Sequence, residues 1–243
     1  SFTRVGQDRP GKTLSMDFGR WDSGPLSTAG PQDHLGTGSK RRLMGTWMRD
    51  LRLSQLPRAI PEIDSSRTAD SIVNRMEAAV AIIVRPRIKM DLLLIKRATN
   101  KKDPWSGHMA LPGGRWEPGD SNLQKTVIRE TLEETGVDLT HQCLKFGRLE
   151  DFRPQNPKLP IARIAPFVFA VPPKTEAWVA SQELESIHWV PIDLLTKPTT
   201  RSSTRVLASG LSKQFPSYHV DGEHVWGLTH RILSQFLDAY ITE

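Results

Sequence analysis

Three glutamates stand close together in the segment RETLEET: Glu130, Glu133 and Glu134. Separations of three and four residues place side chains on one face of an α-helix, so the carboxylates would converge there. Each like-charge pair would cost roughly 0.2–0.5 kcal/mol. A divalent cation turns this repulsion into attraction, and hard oxygen ligands suit Mg²⁺ or Mn²⁺. The alternative is a solvated acidic face on a surface helix, which is what most acidic runs are.

The residues around the glutamates predict the helix that would carry them. Short polar residues at 120–122 are capping candidates, and Gly136 suits the left-handed position that ends a helix. Apolar residues recur between them at helical spacing, so we expect a helix over residues 122–135. Arg129 precedes Glu133 by four positions and can pair with it, which would orient that carboxylate.

A glycine pair, Gly113–Gly114, follows a short predicted strand and lies upstream of the helix. Glycine lets backbone amides and carbonyls come close to a metal ion or a phosphate. Glu117 and Asp120 lie in the loop that connects the pair to the helix. The unit is therefore a loop, a helix and a loop, with acidic residues at both ends.

The segment GGRWEPGDSNLQKTVIRETLEETGV, which runs from Gly113 to Val137, resembles the Nudix box. The family pattern is G-x5-E-x7-R-E-U-x-E-E-x-G-U, with U an aliphatic residue. The second half matches from Arg129 onwards, except that Thr131 stands at an aliphatic position. In the first half, an insertion of one residue brings Asp120 to the place of the first acid. Nudix proteins similar to the coenzyme A pyrophosphatases have the same insertion. The flanking runs LLLIKRA, HWVPIDLL and VWGLTHRIL extend the resemblance over residues 77–241.

The resemblance implies an α/β fold, the Nudix α/β/α sandwich with a mixed sheet, whose box helix presents metal ligands. Nudix enzymes hydrolyse a nucleoside diphosphate linked to another group. The resemblance assigns metal binding to Gly114, Glu130, Glu133 and Glu134, with Mg²⁺ or Mn²⁺ as the cofactor. The ion would neutralise the diphosphate and help to form hydroxide from water. One of these glutamates, or another acid, would accept the proton.

Glu183, just before HWVP, matches a position where related enzymes place an extra acid, and it joins Glu130, Glu133 and Glu134 as a catalytic candidate. Its alternative interpretation is a surface glutamate at the start of a strand. A choice between the two needs the position of Glu183 relative to the box helix.

Candidates for substrate binding flank the box. Arg97 and Arg115 are suited to hold phosphates, and Trp105 is suited either to stack on a base or to cap the core. The L-R-x-H-x-G run usual in the coenzyme A subgroup is replaced here by DPWSGHMALPGG, so the sequence leaves the substrate open. Lys101 and Lys102 add positive charge near the entrance, which is compatible with a nucleotide derivative or a 5′-phosphorylated RNA end.

We expect two parts in the chain, an N-terminal arm over residues 1–70 and a Nudix hydrolase domain over residues 71–243. The start of the arm is rich in Gly, Pro, Ser and Asp and shows no period. The net charge is +6, and residues 1–76 contain 12 lysines and arginines against 8 acidic residues. Such an excess indicates a polyanion partner such as RNA, or a solvated basic tail.

Part of the arm, residues 39–56, is predicted to form a basic amphipathic helix. Met44, Trp47, Met48 and Leu51 have the spacing of one helical face. We expect this helix to dock on the core of its own domain rather than on a membrane or on RNA.

The basic arm also supports a function of another class, a Nudix-fold scaffold or RNA-binding subunit of a ribonucleoprotein with little turnover. The arm would then hold a protein partner or RNA, and removal of residues 1–56 should abolish the complex while leaving the core folded. A further likeness, in the basic extension and general layout, is to a kinetoplastid mitochondrial Nudix protein that stabilises edited mRNA. We therefore expect an intracellular protein and consider the mitochondrial matrix, although the acidic residues near the start are unusual for a transit peptide.

The remaining patterns predict the other elements. Strands are expected at 78–86, 91–98, 143–152, 161–171 and 183–192, the last leading into a short helix. A Thr-, Ser- and Pro-containing segment, 196–222, is expected to be a loop insertion. Residues 223–241 are expected to form an amphipathic helix.

Several classes of protein are disfavoured. The longest apolar run, AAVAIIV, has seven residues, whereas a helix that spans a bilayer needs about 20. Cys143 is the single cysteine, so an internal disulfide is excluded. The chain has no Walker-type P-loop and no G-x-S-x-G elbow.

Overall fold

A computed structural model of the protein describes residues 46–60, 77–100, 105–154, 161, 163–208 and 211–241. Most of the predicted arm, including residues 39–45 of its predicted helix, lies outside them, as do Lys101 and Lys102. The strands of the larger sheet are β1 (Glu77–Pro86), β2 (Met90–Arg97), β3 (Met109–Ala110), β4 (Gly113–Arg115), β5 (Leu144–Arg148), β6 (Arg163–Ala170) and β7 (Leu184–Pro191). The helices are α1 (Leu51–Ala59), α2 (Leu123–Thr135), α3 (Ile192–Thr196) and α4 (Gly227–Ile241).

The larger sheet is mixed and is organised around β1. Among the described residues its main order is β3-β2-β1-β6-β5, with β4 also paired to β1 and β7 to β2. The β1–β6 pair is parallel, from Glu77 opposite Arg163 to Val84 opposite Ala170, and the other pairs are antiparallel. A strand with partners along both edges and helices on both faces is apolar throughout, which explains the uninterrupted run of β1.

Side chains of β1 alternate between two hydrophobic clusters, as the period of a strand requires. Ala79, Ala81 and Ile83 face the cluster beneath α2, together with Val127 and Phe167. The next residues along the strand face a second cluster, which α1, α3 and α4 complete. Its members include Ala78, Ile82, Val84, Leu53, Leu56, Leu195, Ile232, Leu233 and Phe236. The predicted α/β/α sandwich with a mixed sheet is confirmed.

The helix at the described end of the arm differs from the prediction. A short 3₁₀ helix, Thr46–Arg49, precedes α1, and the Asp50 side chain caps α1 by accepting from the Arg52 N–H. This break changes the buried face, because Leu51 is 80% exposed whereas Leu53 and Leu56 are almost fully buried. The predicted docking on the core is correct, and Trp47 of the predicted face packs there, whereas Leu51 does not. Removal of residues 1–56 would therefore strip core side chains, and a truncation that leaves the core folded must keep residues 46–60.

The predicted loop insertion at 196–222 is wrong. A 3₁₀ turn, Pro198–Thr200, is followed by β8 (Arg201–Ala208) and β9 (Leu211–Val220). These two strands pair along their length, and β10 (Glu223–Trp226) adds to β9 to form a separate three-stranded sheet. The four residues of β10 were predicted as the first turn of the last helix. Backbone pairing forms this sheet, since four of the six β8 residues whose burial is described are exposed.

Other predicted elements agree in position and differ in length. The strand predicted at 143–152 is split into β5 and an isolated bridge from Phe152 to Ile164. Cys143 is a free cysteine, half-buried beside the α2 cluster. None of the helices in the described residues is long and apolar enough to cross a membrane.

Candidate active site

Helix α2 carries the three glutamates and is defined at both ends by caps. The Asn122 side chain accepts a hydrogen bond from the Lys125 N–H, at 2.9 Å. Gly136 ends the helix at φ +70°, and its N–H donates to the Leu132 carbonyl. The helix predicted over residues 122–135 is thus confirmed to within one residue. Its apolar side packs on the sheet, so its other side presents the carboxylates towards β4.

Thr131, which replaces the aliphatic residue of the box, is completely buried, and its hydroxyl has no hydrogen-bond partner among the described residues. An unsatisfied buried hydroxyl costs free energy, whereas a methyl of the same shape does not. We expect Thr131→Val to leave the free energy of unfolding unchanged or to raise it by about 1 kcal/mol.

Thr135 provides the matched control, since its hydroxyl makes two hydrogen bonds. It donates to the Thr131 carbonyl at 2.7 Å and accepts from the Val137 N–H at 3.3 Å. Thr135→Val should therefore cost about 1–2 kcal/mol. Urea denaturation of the two variants measures both effects, and a destabilised Thr131→Val protein would contradict the assignment.

The glycine pair brings β4 against the glutamates. The Gly113 N–H donates to Oε2 of Glu134 at 2.9 Å. A Cβ at Gly114 would lie 2.4 Å from Cδ of Glu130. The backbone of Gly114 can therefore contact the Glu130 carboxyl only because Gly114 has no side chain. Gly113 has φ +143°, and a Cβ there would lie 2.2 Å from the Ala79 carbonyl oxygen of β1. Each glycine is required by a different close approach.

Arg129 connects the acids of the box. Its guanidinium holds Asp120 through two contacts, Nε to Oδ1 at 3.1 Å and Nη2 to Oδ2 at 3.0 Å. Its Nη1 also donates to Glu130 at 3.0 Å and to Glu133 at 3.1 Å. The predicted Arg129–Glu133 pair is present, and it is one contact of a larger network. Nη2 donates in addition to the backbone carbonyl of Arg115 on β4, at 3.2 Å.

Burial controls the charges of these acids. It raises the pKa of Glu134 to about 8, the charge of Glu130 adds to the rise, and the Gly113 N–H partly offsets it. Burial also raises the pKa of Glu130, against the effect of Arg129. Burial acts in the same direction on Asp120, but there the Arg129 guanidinium and the Glu117 N–H outweigh it and lower the pKa. The buried Glu134 and the half-buried Glu130 are thus poorly compensated by protein groups alone.

The donor set fits a divalent cation in its chemistry. Glu130, Glu133, Glu134 and the backbone at Gly114 offer oxygen atoms, which Mg²⁺ and Mn²⁺ prefer. Among the described residues, no three acidic, histidine or cysteine side chains converge on one point; Glu130 and Glu133 instead pair with Arg129. A half-buried Glu130 beside a buried Glu134, both with raised pKa values, is nevertheless an arrangement that a bound cation would stabilise.

The other predicted site residues lie around this centre. Glu183 is 70% exposed at the start of β7, and its carboxylate lies 3.6 Å from the Arg97 guanidinium on β2. Both charges act on the pKa of Glu134, Arg97 lowering it and Glu183 raising it. Trp105 is half-buried in a turn, where its carbonyl accepts the His108 N–H. Arg115 has an exposed side chain beside the glycines.

The position of Asp120 is the part of the site that sequence reasoning did not foresee. It was recognised only as a displaced box acid, whereas in the structure it is a buried anchor for Arg129. Asp120 and Arg129 are nine residues apart, and no helix or strand period links positions at that distance. The signal in the sequence that could have predicted this contact was an acid just before the helix cap, Asp120, together with the one arginine of the helix, Arg129.

The fold and the site thus place acidic side chains of one helix beside a glycine turn of the sheet. The family model of the NUDIX domain matches residues 74–209, which is more than half of the chain. The chain therefore belongs to the Nudix family, as its box predicted. Nudix hydrolases act on diphosphate bonds in nucleotide derivatives and generally use divalent metal ions.

Known proteins share this domain over different lengths. An uncharacterized protein of Schizosaccharomyces pombe is 34% identical over 131 residues, which is 52% of this chain but only 40% of the yeast protein. The Nudix hydrolase NudL of Yersinia pestis is 24% identical over 181 residues, 74% of this chain and 86% of NudL. A solved MutT/nudix family protein from Enterococcus faecalis superposes with a TM-score of 0.46 at 15% identity, over 86% of this chain and 76% of its own.

Proposed function

We propose that the chain is a Mg²⁺- or Mn²⁺-dependent pyrophosphohydrolase that cleaves the diphosphate linkage of a nucleotide derivative. One observation carries the proposal: the buried Glu134 and the half-buried Glu130 both contact the backbone of the Gly113–Gly114 turn. A surface helix with a solvated acidic face would expose these side chains, whereas Glu134 is 5% exposed and the Glu130 side chain is 19% exposed. Removal of two neighbouring acids from water is unfavourable without a compensating cation.

The cation would be held by the carboxylates of Glu130, Glu133 and Glu134 and by the backbone of Gly114. A bound Mg²⁺ neutralises a diphosphate and lowers the pKa of water. The chain's own contribution is to position the ligands. Arg129, anchored on the buried Asp120, keeps Glu130 and Glu133 side by side despite their like charges.

Hydrolysis adds water across a P–O–P linkage, so the attacking water must lose a proton as the bond to the leaving phosphate oxygen breaks. We assign the proton to one of the exposed acids at the rim, and Glu183 is the candidate because it is accessible and close enough for its charge to contribute to the raised pKa of Glu134. Arg97 orients Glu183 and, with Arg115, offers positive charge to the phosphates. Trp105 remains a candidate for contact with the base.

The finer assignment of the substrate concerns RNA. A 5′-phosphorylated RNA end, and with it a role in mRNA processing or stability, is supported by the basic excess in residues 1–76. Half of that excess lies in the described residues 46–60, which contain three arginines and one aspartate, and the other half, like Lys101 and Lys102, lies outside the described residues. A protein partner of the arm and a mitochondrial location rest on the same sequence features.

A substrate panel tests the proposal. Purified protein with Mg²⁺ is incubated with coenzyme A, ADP-ribose, nucleoside triphosphates, dinucleoside polyphosphates and 5′-triphosphorylated RNA, and the products are separated by chromatography. We expect cleavage of at least one compound at its diphosphate linkage, with a phosphomonoester among the products. Absence of cleavage, together with measurable RNA or protein binding, would favour the scaffold function instead.

Arg129→Lys tests the positioning of the ligands. Lysine keeps the charge but cannot hold Asp120 through two bonds and both glutamates at once. We expect kcat to fall about 10–100-fold, the usual cost of losing an outer partner of metal ligands. The exposed Arg205→Lys on β8 is the matched control and should have wild-type kcat. An Arg129→Lys enzyme with full activity would show that the network is dispensable.

A further inference from the structure

Three aromatic side chains form a continuous surface where the small sheet meets the large one. The ring of His108 lies 4.6 Å from that of Trp226 in an edge-to-face arrangement. Phe215 lies on β9, the strand that pairs with β10, and its ring lies 5.4 Å from the ring of Trp226. We call His108, Phe215 and Trp226 the aromatic surface.

Core packing does not explain the aromatic surface. All three residues are half-buried, so each keeps a part of its surface accessible. None of them belongs to either hydrophobic cluster of the described residues. Aromatic side chains of this kind commonly line ligand sites, and their faces prefer offset or edge-to-face contact with another ring.

The aromatic surface lies beside the candidate active site. The His108 carbonyl accepts the Arg97 N–H at 3.0 Å, and Arg97 reaches Glu183. His108 also precedes Gly113 by five residues, through β3 and the turn that carries the glycines. An extended chain of five residues spans at most about 18 Å. The aromatic surface is therefore within reach of a ligand whose phosphates lie at the glycine turn.

Ionic contacts fix the aromatic surface relative to the site. Lys96 on β2 binds Glu185 on β7 at 2.9 Å and Glu223 on β10 at 2.8 Å. Glu223 and Trp226 are the two ends of β10, which lies next to β3. A preorganised aromatic wall binds a flat ligand without an ordering cost.

We propose that the aromatic surface binds the base of the nucleotide substrate by stacking, and this inference rests on the proposed function. A base offers a flat π-face to Trp226 and Phe215, and stacking of this kind tolerates different bases. Trp105, three residues before His108, lies in the same turn and would border the base. The small sheet thus supplies the nucleoside end of the site, while the box supplies the diphosphate end.

Calorimetric titration with AMP tests the inference. Cleavage of a nucleoside diphosphate derivative releases a nucleoside monophosphate, so AMP represents that part of the substrate. We expect Trp226→Leu to raise the Kd for AMP about tenfold or more, whereas Trp226→Phe should stay within about threefold because it keeps an aromatic face. Trp178→Leu, which removes a half-exposed tryptophan packed on Gly136, should bind AMP as the wild type does. With a cleavable substrate, Trp226→Leu should raise KM and leave kcat nearly unchanged.

Each other outcome overturns the inference. It is wrong if the wild type does not bind AMP, if Trp226→Leu binds AMP normally, or if Trp226→Phe loses as much affinity as Trp226→Leu in step with a lower Tm. Should Trp226→Leu fail to fold, Phe215→Leu replaces it with the same expectation. Failure of the proposed function is a separate result, in which the wild type cleaves none of the diphosphate compounds whatever its affinity for AMP.

Discussion

Glu134→Gln is expected to lower kcat for diphosphate cleavage on the order of 10³-fold, as loss of an essential ionised group does. The variant should fold normally. Burial already favours the neutral form of Glu134 in the absence of a cation, and an amide has the same shape as that form. The amide oxygen can still accept the Gly113 N–H. The substitution thus removes a charge that is needed only when the cation is bound.

The measurement combines kinetics with thermal unfolding. Mg²⁺ should raise the Tm of the wild type by binding the folded state, and this rise should shrink in Glu134→Gln. The exposed Glu176→Gln is the matched control and should resemble the wild type in both respects. If Glu134→Gln keeps its turnover and its response to Mg²⁺, the assignment of the metal ligands is wrong.

Alanine substitutions at the adjacent Gly113 and Gly114 are expected to have different consequences, a loss of stability at Gly113 and a loss of activity at Gly114. A Cβ at Gly113 meets backbone atoms of Ala79 and Val80 that belong to the central strand, and φ +143° is unfavourable for alanine. Gly113→Ala should therefore cost about 3 kcal/mol or more of stability. A Cβ at Gly114 meets the end of the Glu130 side chain, which can move. Gly114→Ala should fold, but it should lose about 10–100-fold in kcat because a ligand is displaced.

Chemical denaturation and steady-state kinetics of the two variants separate these effects. Gly119→Ala is the control, because a Cβ there meets no atom within 4 Å, and it should be neutral in both assays. An active Gly114→Ala enzyme would show that the contact between β4 and Glu130 does not matter for the reaction. A stable Gly113→Ala protein would contradict the close approach of β4 to β1.

The box helix could be predicted from sequence because its information is local. The Asn122 cap, the Gly136 end and the four-residue spacing of Arg129 and Glu133 are all set within one element. Strands β1 and β6 could be predicted for a related reason, since burial on both faces makes them apolar throughout. Contacts between distant elements, such as Arg97 with Glu183, could not be predicted, because they follow from the pairing of β2 with β7.

The small sheet was missed for two physical reasons. Strand β8 exposes four of the six side chains whose burial is described, so the alternation that reveals a half-buried strand is weak. Strand β9 contains Pro216, opposite Ser203, and a proline argues against a strand with partners on both sides. The hairpin is therefore defined by backbone hydrogen bonds and by the packing of Tyr218 and Val220 on the core, neither of which has a local signature.

The packing of α1 on α4 has a consequence for how the chain folds during synthesis. Leu53 and Leu56 are made well before Ile232, Leu233 and Phe236, which complete their cluster. The parallel partner of β1 likewise begins only at Arg163. Between the synthesis of α1 and that of α4, a nascent chain would therefore expose unfinished apolar surface, and such surface is recognised by chaperones. We expect this domain to complete its fold only after α4 has emerged.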